Sequence, residues 1–390
     1  TAIGSFLGSL SPVSPSDFGA AVVKNIVEET KIDPKNIDEV ISGNVLPAGQ
    51  GQGFGRQVAI KAGLPNSVPG YSINMVCGSG MKAIMDAYLK IKAGWDHLVI
   101  AGGAESMSQT PHLLPAKARS GVKMGNVTAI DHMIYDALID AYDDIHMGIT
   151  AENIVDKHNI SREEQDAFAY HSQQKAIKAV DEGRFKDEIV PIEVQTRRES
   201  YVFETDEYPN RRTNPEKLSK LRPAFKKGGS VTAGNASGIN DGAAYLLLAS
   251  EEAVKKYNLT PLVEIVEVDQ AAIDPTVMGL GPVSAIGSVL NISNMALKDM
   301  ELLELNEAFA SQSIGVIKEL SENHKEDYNQ ILDRTNVNGG AIALGHPVGC
   351  SGSRIVVTLI HEMKKRQNKY GLASLCIGGG MGTAIIVKNV

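Results

Sequence analysis

Cysteine is scarce, with 3 in 390 residues. That is too few for a disulfide framework and points to a reducing compartment, so a cytoplasmic protein is expected. Aromatic residues are sparse too, at 5%. The 38 glycines, with many alanines, suggest a core in which backbones approach closely. No run approaches the roughly 20 consecutive apolar residues of a spanning helix, and no membrane association is expected. No signal-peptide pattern stands at the start, although the chain opens at Thr1 rather than methionine and leaves a preceding targeting segment open. A surplus of positive charge is also missing. The net charge of −8 argues against a general nucleic-acid binder, while a local basic site for an anionic ligand remains compatible with it.

Hydrophobic content is 43% and charged content 22%, ordinary values for a globular protein. A length of 390 residues exceeds the roughly 250–300 at which single cores stop growing, so two or more lobes are expected. The first third alternates strand-like and helix-like segments. Asp17–Glu29 has helical apolar spacing at Phe18, Val22 and Ile26, with Ser16 as the expected N-cap. Ile37–Val45 reads as a strand and Gly55–Ala62 as a short helix. Tyr71–Val76 leads as a strand into a helix from Gly78 to Ala93, closed by Gly94. His97–Ala101 is a buried strand ending in Gly102-Gly103.

The last third repeats this plan. A strand over Glu301–Leu305 precedes a helix over 306–320, and Asn336–Ile342 enters a glycine-rich turn. A helix follows from about Ser351 to Lys365, then strands at Ala373–Cys376 and Thr383–Val387. "VCGSGMKAIM" and "VGCSGSRIVV" match in pattern, as do "HLVIAGG" and "ASLCIGG", at similar separations. This is an internal duplication of a βαβ-type unit whose strands are buried on both faces. Residues 110–235 differ: they are more charged and carry helical stretches near Asp131–Asp144 and Arg162–Glu182. Arg211–Lys227 holds seven Lys/Arg against one Glu. This segment reads as an inserted lobe, after which Asn240–Ala249 returns as a strand to the first half.

Four residues at the ends of expected core strands carry chemistry. Cys77 in "NMVCGSGMKAI" stands at a strand-to-helix junction, where the helix dipole lowers a thiol pKa; the alternative is a small buried hydrophobe. His346 sits in the Gly/Pro-rich run "NVNGGAIALGHPVGCSG", fit for a general base titrating near working pH or for simple turn hydrogen bonds. Cys376 precedes Gly378-Gly379-Gly380, a turn able to aim backbone N–H groups at one point or merely to join two strands. Asn306 opens "NEAFA", where an amide can hold a water or cap a helix. In open α/β sheets ligand sites lie beyond the carboxyl ends of strands, so the coincidence favours one shared site. Two other readings are weaker. Gly78–Ala83 fits G-x-G-x-x-[GA], but the next strand ends without the acid a dinucleotide site wants. A zinc site from His346, Cys350 and Cys376 lacks a C-x2-C pair and a clear fourth ligand.

In order along the chain, "NMVCGSGMKAI", "GGAESMS", "GNASGINDGAA", "NEAFA", "GGAIALGHPVGCSGSRI" and "CIGGGMGTA" resemble the thiolase family, most closely its short-chain acetyl-CoA acetyltransferase branch. The resemblance spans essentially the whole chain. It implies a five-layered α-β-α-β-α core of two duplicated halves with an inserted loop domain. The corresponding boundaries are 1–109 for the N-terminal half, completed by about 239–258, then 110–238 for the inserted CoA-binding domain and 259–390 for the C-terminal half. By the same resemblance Cys77 is the acyl-accepting nucleophile, His346 its activating base, and Cys376 the acid/base at the substrate α-carbon. Asn306 holds the oxyanion water for the enolate, and Gly378 with the Cys77 amide forms the oxyanion hole of the acyl-enzyme step. Lys217 and Ser237 match CoA contacts, while His146, Met147 and Met278 match residues around the acyl group.

The implied reaction is the reversible condensation of two acetyl-CoA to acetoacetyl-CoA and CoA. Coenzyme A takes part as substrate and product, with no separate cofactor or metal. The implied assembly is a homotetramer, a dimer of dimers joined through the segment around His112–Ile130. A decarboxylating ketoacyl-carrier-protein synthase is the competing enzyme reading, expected to use one Cys with two His. A non-catalytic thiolase-like scaffold is the reading from another class, disfavoured because every reactive residue type stands at its matching position.

Overall fold

Two sheets carry the fold, and their strand orders repeat each other. The computed structural model describes residues 1–390. The first half supplies strands β1 (Gly4–Ser5), β2 (Glu39–Gly43), β3 (Gly70–Ile73) and β4 (Leu98–Ser106), interleaved with helices α1 (Pro15–Thr30), α2 (Phe54–Lys61) and α3 (Ser79–Lys92). The middle holds two small ribbons, β5 (His112–Leu113) with β6 (Ile130–Asp131) and β7 (Ile192–Gln195) with β8 (Ser200–Phe203). Its helices are α4 (Met147–His158), α5 (Arg162–Asp181) and α6 (Pro215–Ser219). β9 (Asn240–Ala249) rejoins the first sheet, and α7 (Glu251–Tyr257) leads to the second half. There follow β10 (Val263–Ala272), α8 (Gly281–Ser293), β11 (Leu302–Leu305), α9 (Ala310–His324), α10 (Tyr328–Asp333), α11 (Ala341–Leu344), α12 (Val348–Arg366), β12 (Tyr370–Ile377) and β13 (Met381–Asn389).

The sheets run β1-β9-β4-β2-β3 and β10-β13-β12-β11. β2 and β4 pair in parallel and β4 and β9 antiparallel; β11 and β12 pair in parallel and β12 and β13 antiparallel. Matching the orders sets β2 on β11, β4 on β12 and β9 on β13. The duplicated sequence patterns are thus α3 with α12 and β4 with β12. α3 and α12 pack on each other between the sheets, α1 and α2 cover the outer face of the first sheet, and α8 covers that of the second. Side-chain alternation explains why these strands are apolar throughout. Leu98 and Ile100 point into the outer core with Phe18 and Val22, while Val99 and Ala101 point into the central core with Met81 and Ile355.

Several boundaries differ from the sequence reading for identifiable reasons. The cap of α1 is Ser14, because Pro15 occupies the first helical turn. β4 continues through Gly102-Gly103 to Ser106, because β9 pairs with it along that whole length. The 306–320 helix starts only at Ala310; Phe309 is extended and bridges Ala236. Asp131–Asp144 is not one helix but β6, a π-helical turn at Ile134–Leu138, and a loop. There the Asp140 carboxylate accepts from the Tyr142 and Asp143 N–H groups, both at 2.9 Å, and competes with helical bonding. One stretch, Pro275–Ser293, matches a membrane span by length and a mean hydropathy of 1.3. It breaks at Val277, and α8 packs on β10 and β13 as a core helix.

Candidate active site

The chain turns sharply before Cys77. Val76 is left-handed (φ 46°), a conformation rarely adopted by a β-branched residue and one that stores about 1–3 kcal/mol of strain. Its neighbours hold it there. Asn74 Oδ1 accepts from the Val76 N–H at 3.0 Å. Ser79 Oγ accepts from Met75 N–H at 2.9 Å and donates to Val76 O at 2.6 Å. Gly78 then passes so near the second half that a Cβ there would lie 2.3 Å from Ile377 Cδ1. The turn thereby brings Cys77, from the first half, against the β12–β13 loop of the second. Backbone N–H groups of Gly378 and of Cys77 itself both act on the Cys77 sulfur.

Burial dominates the thiol's acidity. Cys77 keeps partial solvent access, but enclosure of its sulfur pushes the pKa up to about 11, against the pull of those two amides. This corrects the expectation that the helix dipole yields a low pKa. α3 begins only at Ser79, and desolvation outweighs the dipole. Cys376, near the end of β12, is 1% exposed. Burial, then the nearby charge of Cys77, pushes its pKa up as well, which locates the two sulfurs in one site.

His346 is held from both sides. Its N–H donates to Asn240 Oδ1 at 2.9 Å, and Asn240 Nδ2 donates to Gly4 O at 3.0 Å. Gly345 adopts φ 105°, and a Cβ there would strike the Asn240 amide at 2.4–2.6 Å. The imidazole Nδ1 lies 2.6 Å from Ser351 Oγ on the first turn of α12. Burial, then the Arg354 cation, pushes the His346 pKa down to about 4, so the ring is neutral well below physiological pH. The expected titration near working pH is thus also corrected. No hydrogen bond joins the imidazole to either cysteine in this resting site.

Asn306 follows β11 directly and donates its backbone N–H to Ser374 O at 3.0 Å. Its side chain is 2% exposed, and neither Oδ1 nor Nδ2 has a partner. Left without any partner such an amide would cost about 1–3 kcal/mol per group, so it suits a bound water or substrate oxygen. It is not a helix cap, since α9 starts four residues later. The adjacent Glu307 is a support: it accepts from Ser172 Oγ at 2.6 Å and Asn336 Nδ2 at 2.9 Å.

The expected acyl-end residues converge. Met147, Met278, Phe309, Ala308 and Cys376 form one buried cluster. Met147 Sδ lies 3.7 Å from the position a Gly378 Cβ would take. His146 caps α4, accepting from Gly148 N–H at 3.0 Å, and stacks on Phe225 at 4.6 Å between centroids. Phe225 also meets Phe309 edge-on at 6.2 Å and so ties the basic run to this cluster. Ser237 lies beside it, donating its N–H to Ala308 O at 2.9 Å. Lys217 does not join the cluster. It is exposed on α6 with Nζ on Arg212 O at 2.8 Å. Within the same run Arg211, Lys220 and Lys226 pair with Asp181, Glu216 and Asp156, whereas Arg212, Arg222 and Lys227 have no carboxylate partner.

Sequence reasoning missed Asn240, Ser351, Phe225 and Phe309. Only "HPVGCS" carried a signal for one of them, since a serine five residues past His346 lies on the first turn of the following helix.

Comparison with known proteins agrees with this geometry. Residues 1–252 match the thiolase N-terminal domain and 259–389 the thiolase C-terminal domain. The acetyl-CoA acetyltransferase of Pseudomonas aeruginosa is 51% identical over 390 residues, covering 100% of this chain and 97% of that protein. The crystal structure of the Bacillus anthracis acetyl-CoA acetyltransferase matches with a TM-score of 0.95 at 43% identity, covering 100% of this chain and 96% of that one. Human mitochondrial 3-ketoacyl-CoA thiolase in complex with CoA matches with a TM-score of 0.93 at 42% identity, covering 100% and 96%. With both domains matched over nearly the full length, the two-sheet duplication and the paired cysteines identify the chain as a member of the thiolase family.

Proposed function

We propose that the protein is an acetyl-CoA C-acetyltransferase that condenses two acetyl-CoA to acetoacetyl-CoA and CoA, reversibly, through an acetyl-Cys77 intermediate. The observation that carries this reading is the convergence of two enclosed cysteines, from different halves, beside an unpaired Asn306 amide and a triple-glycine turn. Cys77 attacks the thioester carbonyl and passes its proton to His346. The pKa values of about 11 and about 4 differ by 7, so forming the separated ion pair costs roughly 10 kcal/mol. That fits beneath the ~16 kcal/mol barrier of a turnover near 10 s⁻¹, and the mutual attraction of the ions lowers it further. Proton transfer is therefore concerted with attack in this reading, without a resting thiolate.

The amides of Gly378 and Cys77 receive the developing oxyanion of this step. CoA leaves before the second acetyl-CoA enters, giving ping-pong kinetics. Cys376 gives its proton to the departing CoA sulfur and, as a thiolate, then takes the α-proton of the second acetyl group, while the enolate charge falls to a water held by Asn306 and to the Nε2–H of the protonated His346. Attack on acetyl-Cys77 forms the carbon–carbon bond, and the released Cys77 thiolate takes its proton back from His346.

His146, Met147 and Met278 close the acyl end against chains longer than acetoacetyl. Residues 110–238 form the CoA-binding lobe, where Ser237, Lys217 and the unpaired Arg212, Arg222 and Lys227 meet the anionic nucleotide end. The expected homotetramer fits exposed Leu114 (66%), Val122 (44%) and Met124 (95%) on the β5–β6 segment. A cytoplasmic location suits free cysteines, one partly open to solvent. Incubation with acetoacetyl-CoA and CoA tests the assignment: formation of acetyl-CoA supports it, and its absence with folded protein refutes it.

A further inference from the structure

We infer that Ser351 is a positioning residue for His346, its hydroxyl accepting the imidazole Nδ1–H so that Nε2 presents a bare lone pair to the Cys77 proton. The inference rests on the proposed role of His346 as base. Ser351 is 2% exposed and sits on the first turn of α12, so the helix fixes its position. Its Oγ lies 2.6 Å from Nδ1 and 2.9 Å from Pro347 O. The hydroxyl has one proton. Pro347 O can only accept, so a hydroxyl directed there turns its lone pairs toward Nδ1, and Nδ1 must be the protonated nitrogen. In the opposite arrangement the hydroxyl donates to Nδ1 and the imidazole proton moves to Nε2, where it blocks acceptance from Cys77. Pro347 O also receives the Cys350 and Ser351 N–H groups, both at 2.9 Å, so the two arrangements compete, and the one with Nδ1 protonated is the one that leaves Nε2 free to act as a base.

The choice of partner matters for the chemistry. No carboxylate hydrogen-bonds the imidazole; its one protein partner is Ser351, while Asn240 accepts from the backbone N–H of His346. A neutral acceptor fixes the tautomer without adding the charge that would strongly raise ring basicity. The Arg354 cation, one turn further along α12, also disfavours a resting imidazolium. During acylation the Sγ–H proton moves to Nε2 while the sulfur electron pair forms the new S–C bond. The resulting imidazolium keeps its Nδ1–H on Ser351. It keeps the Nε2 proton while Cys376 protonates the departing CoA sulfur, and returns it to the Cys77 thiolate released by condensation, so no proton is left over.

The test is ¹⁵N NMR of histidine-labelled protein, with His346 identified among the 9 histidines by its loss in His346→Gln. The expected result is a neutral ring protonated on Nδ1. Ser351→Ala should shift the ring toward Nε2 protonation. It should also slow acetylation of Cys77 by on the order of 10- to 100-fold, less than the 10²–10⁴-fold that a general base supplies in full. Ser351→Thr, which keeps the hydroxyl, should recover much of the rate. An Nε2-protonated ring in the wild type overturns the inference, as does a Ser351→Ala protein with unchanged tautomer and acetylation rate. Should Ser351→Ala fail to fold, the wild-type tautomer decides alone. The underlying reading fails separately, if His346→Gln acetylates Cys77 at the wild-type rate.

Discussion

Replacing Asn306 with alanine separates stability from chemistry. The side chain is 2% exposed and both of its polar atoms lack protein partners. Alanine removes an amide that makes no hydrogen bond to protein, so no protein hydrogen bond is lost with it. It leaves a small cavity beside the site, a loss of about 1 kcal/mol. The balance lies within about 1 kcal/mol, a shift of no more than about 4 °C in Tm for a protein of this size. Chemistry should respond very differently. Losing one oxyanion donor typically costs about 10²–10³ in rate, or ~2.7–4 kcal/mol. That loss belongs to the enolate step, so acetylation of Cys77 should stay near its wild-type rate while condensation collapses. Thermal unfolding, intact-mass detection of the acetyl-enzyme and condensation rates read the three quantities independently. A clear drop in Tm with parallel loss of both half-reactions would make Asn306 a structural residue and refute the reasoning. Undiminished condensation would refute it from the other side.

Chain length gives a second expectation. Burying an extra methylene would gain ~0.8 kcal/mol, but overpacking costs about 1–3 kcal/mol. With Met278 at 3% exposure against Met147 and Cys376, 3-ketohexanoyl-CoA should be cleaved at least roughly tenfold less efficiently than acetoacetyl-CoA. Met278→Ala should narrow that gap in kcat/KM; equal wild-type efficiencies would mean an open pocket. Cys376→Ala should spare acetyl transfer to Cys77 more than carbon–carbon bond formation, and a folded variant that cannot be acetylated contradicts this division of labour. With Cys77 held at about 11, its iodoacetamide alkylation should rise about tenfold per pH unit from neutrality, as the thiolate fraction grows, and level off only near that value. A plateau below pH 8 would mean that His346 already holds a thiolate. Met124→Asp should split the assembly into dimers by light scattering if the exposed β5–β6 segment joins dimers, while an unchanged tetramer excludes that contact.

The duplicated halves were legible because buried strands and their following helices leave repeated apolar and glycine patterns. "HLVIAGG" and "ASLCIGG" do fall on equivalent strands β4 and β12. Cys77, Cys376 and Asn306 were legible because all three stand at or just past strand ends, where side chains meet at the edge of a sheet. Their energetics were not. Sequence shows a cysteine ahead of a helix but not the enclosure that lifts its pKa to about 11, nor the Arg354 and burial that hold His346 at about 4. The middle segment misled because local carboxylates override periodicity. Asp140 caps its own loop and ends what looked like a helix. Phe225 was invisible for another reason: it lies 79 residues from His146, and nothing local reports their stacking.

The central claim is that Cys77 carries the acetyl group. The direct measurement is peptide mapping by mass spectrometry after the protein is mixed with acetyl-CoA and quenched in acid. The account predicts one acetyl group, on the peptide containing Cys77, that disappears when CoA is added. Acetylation of Cys376 or Cys350 instead, or turnover persisting in Cys77→Ala, would contradict it.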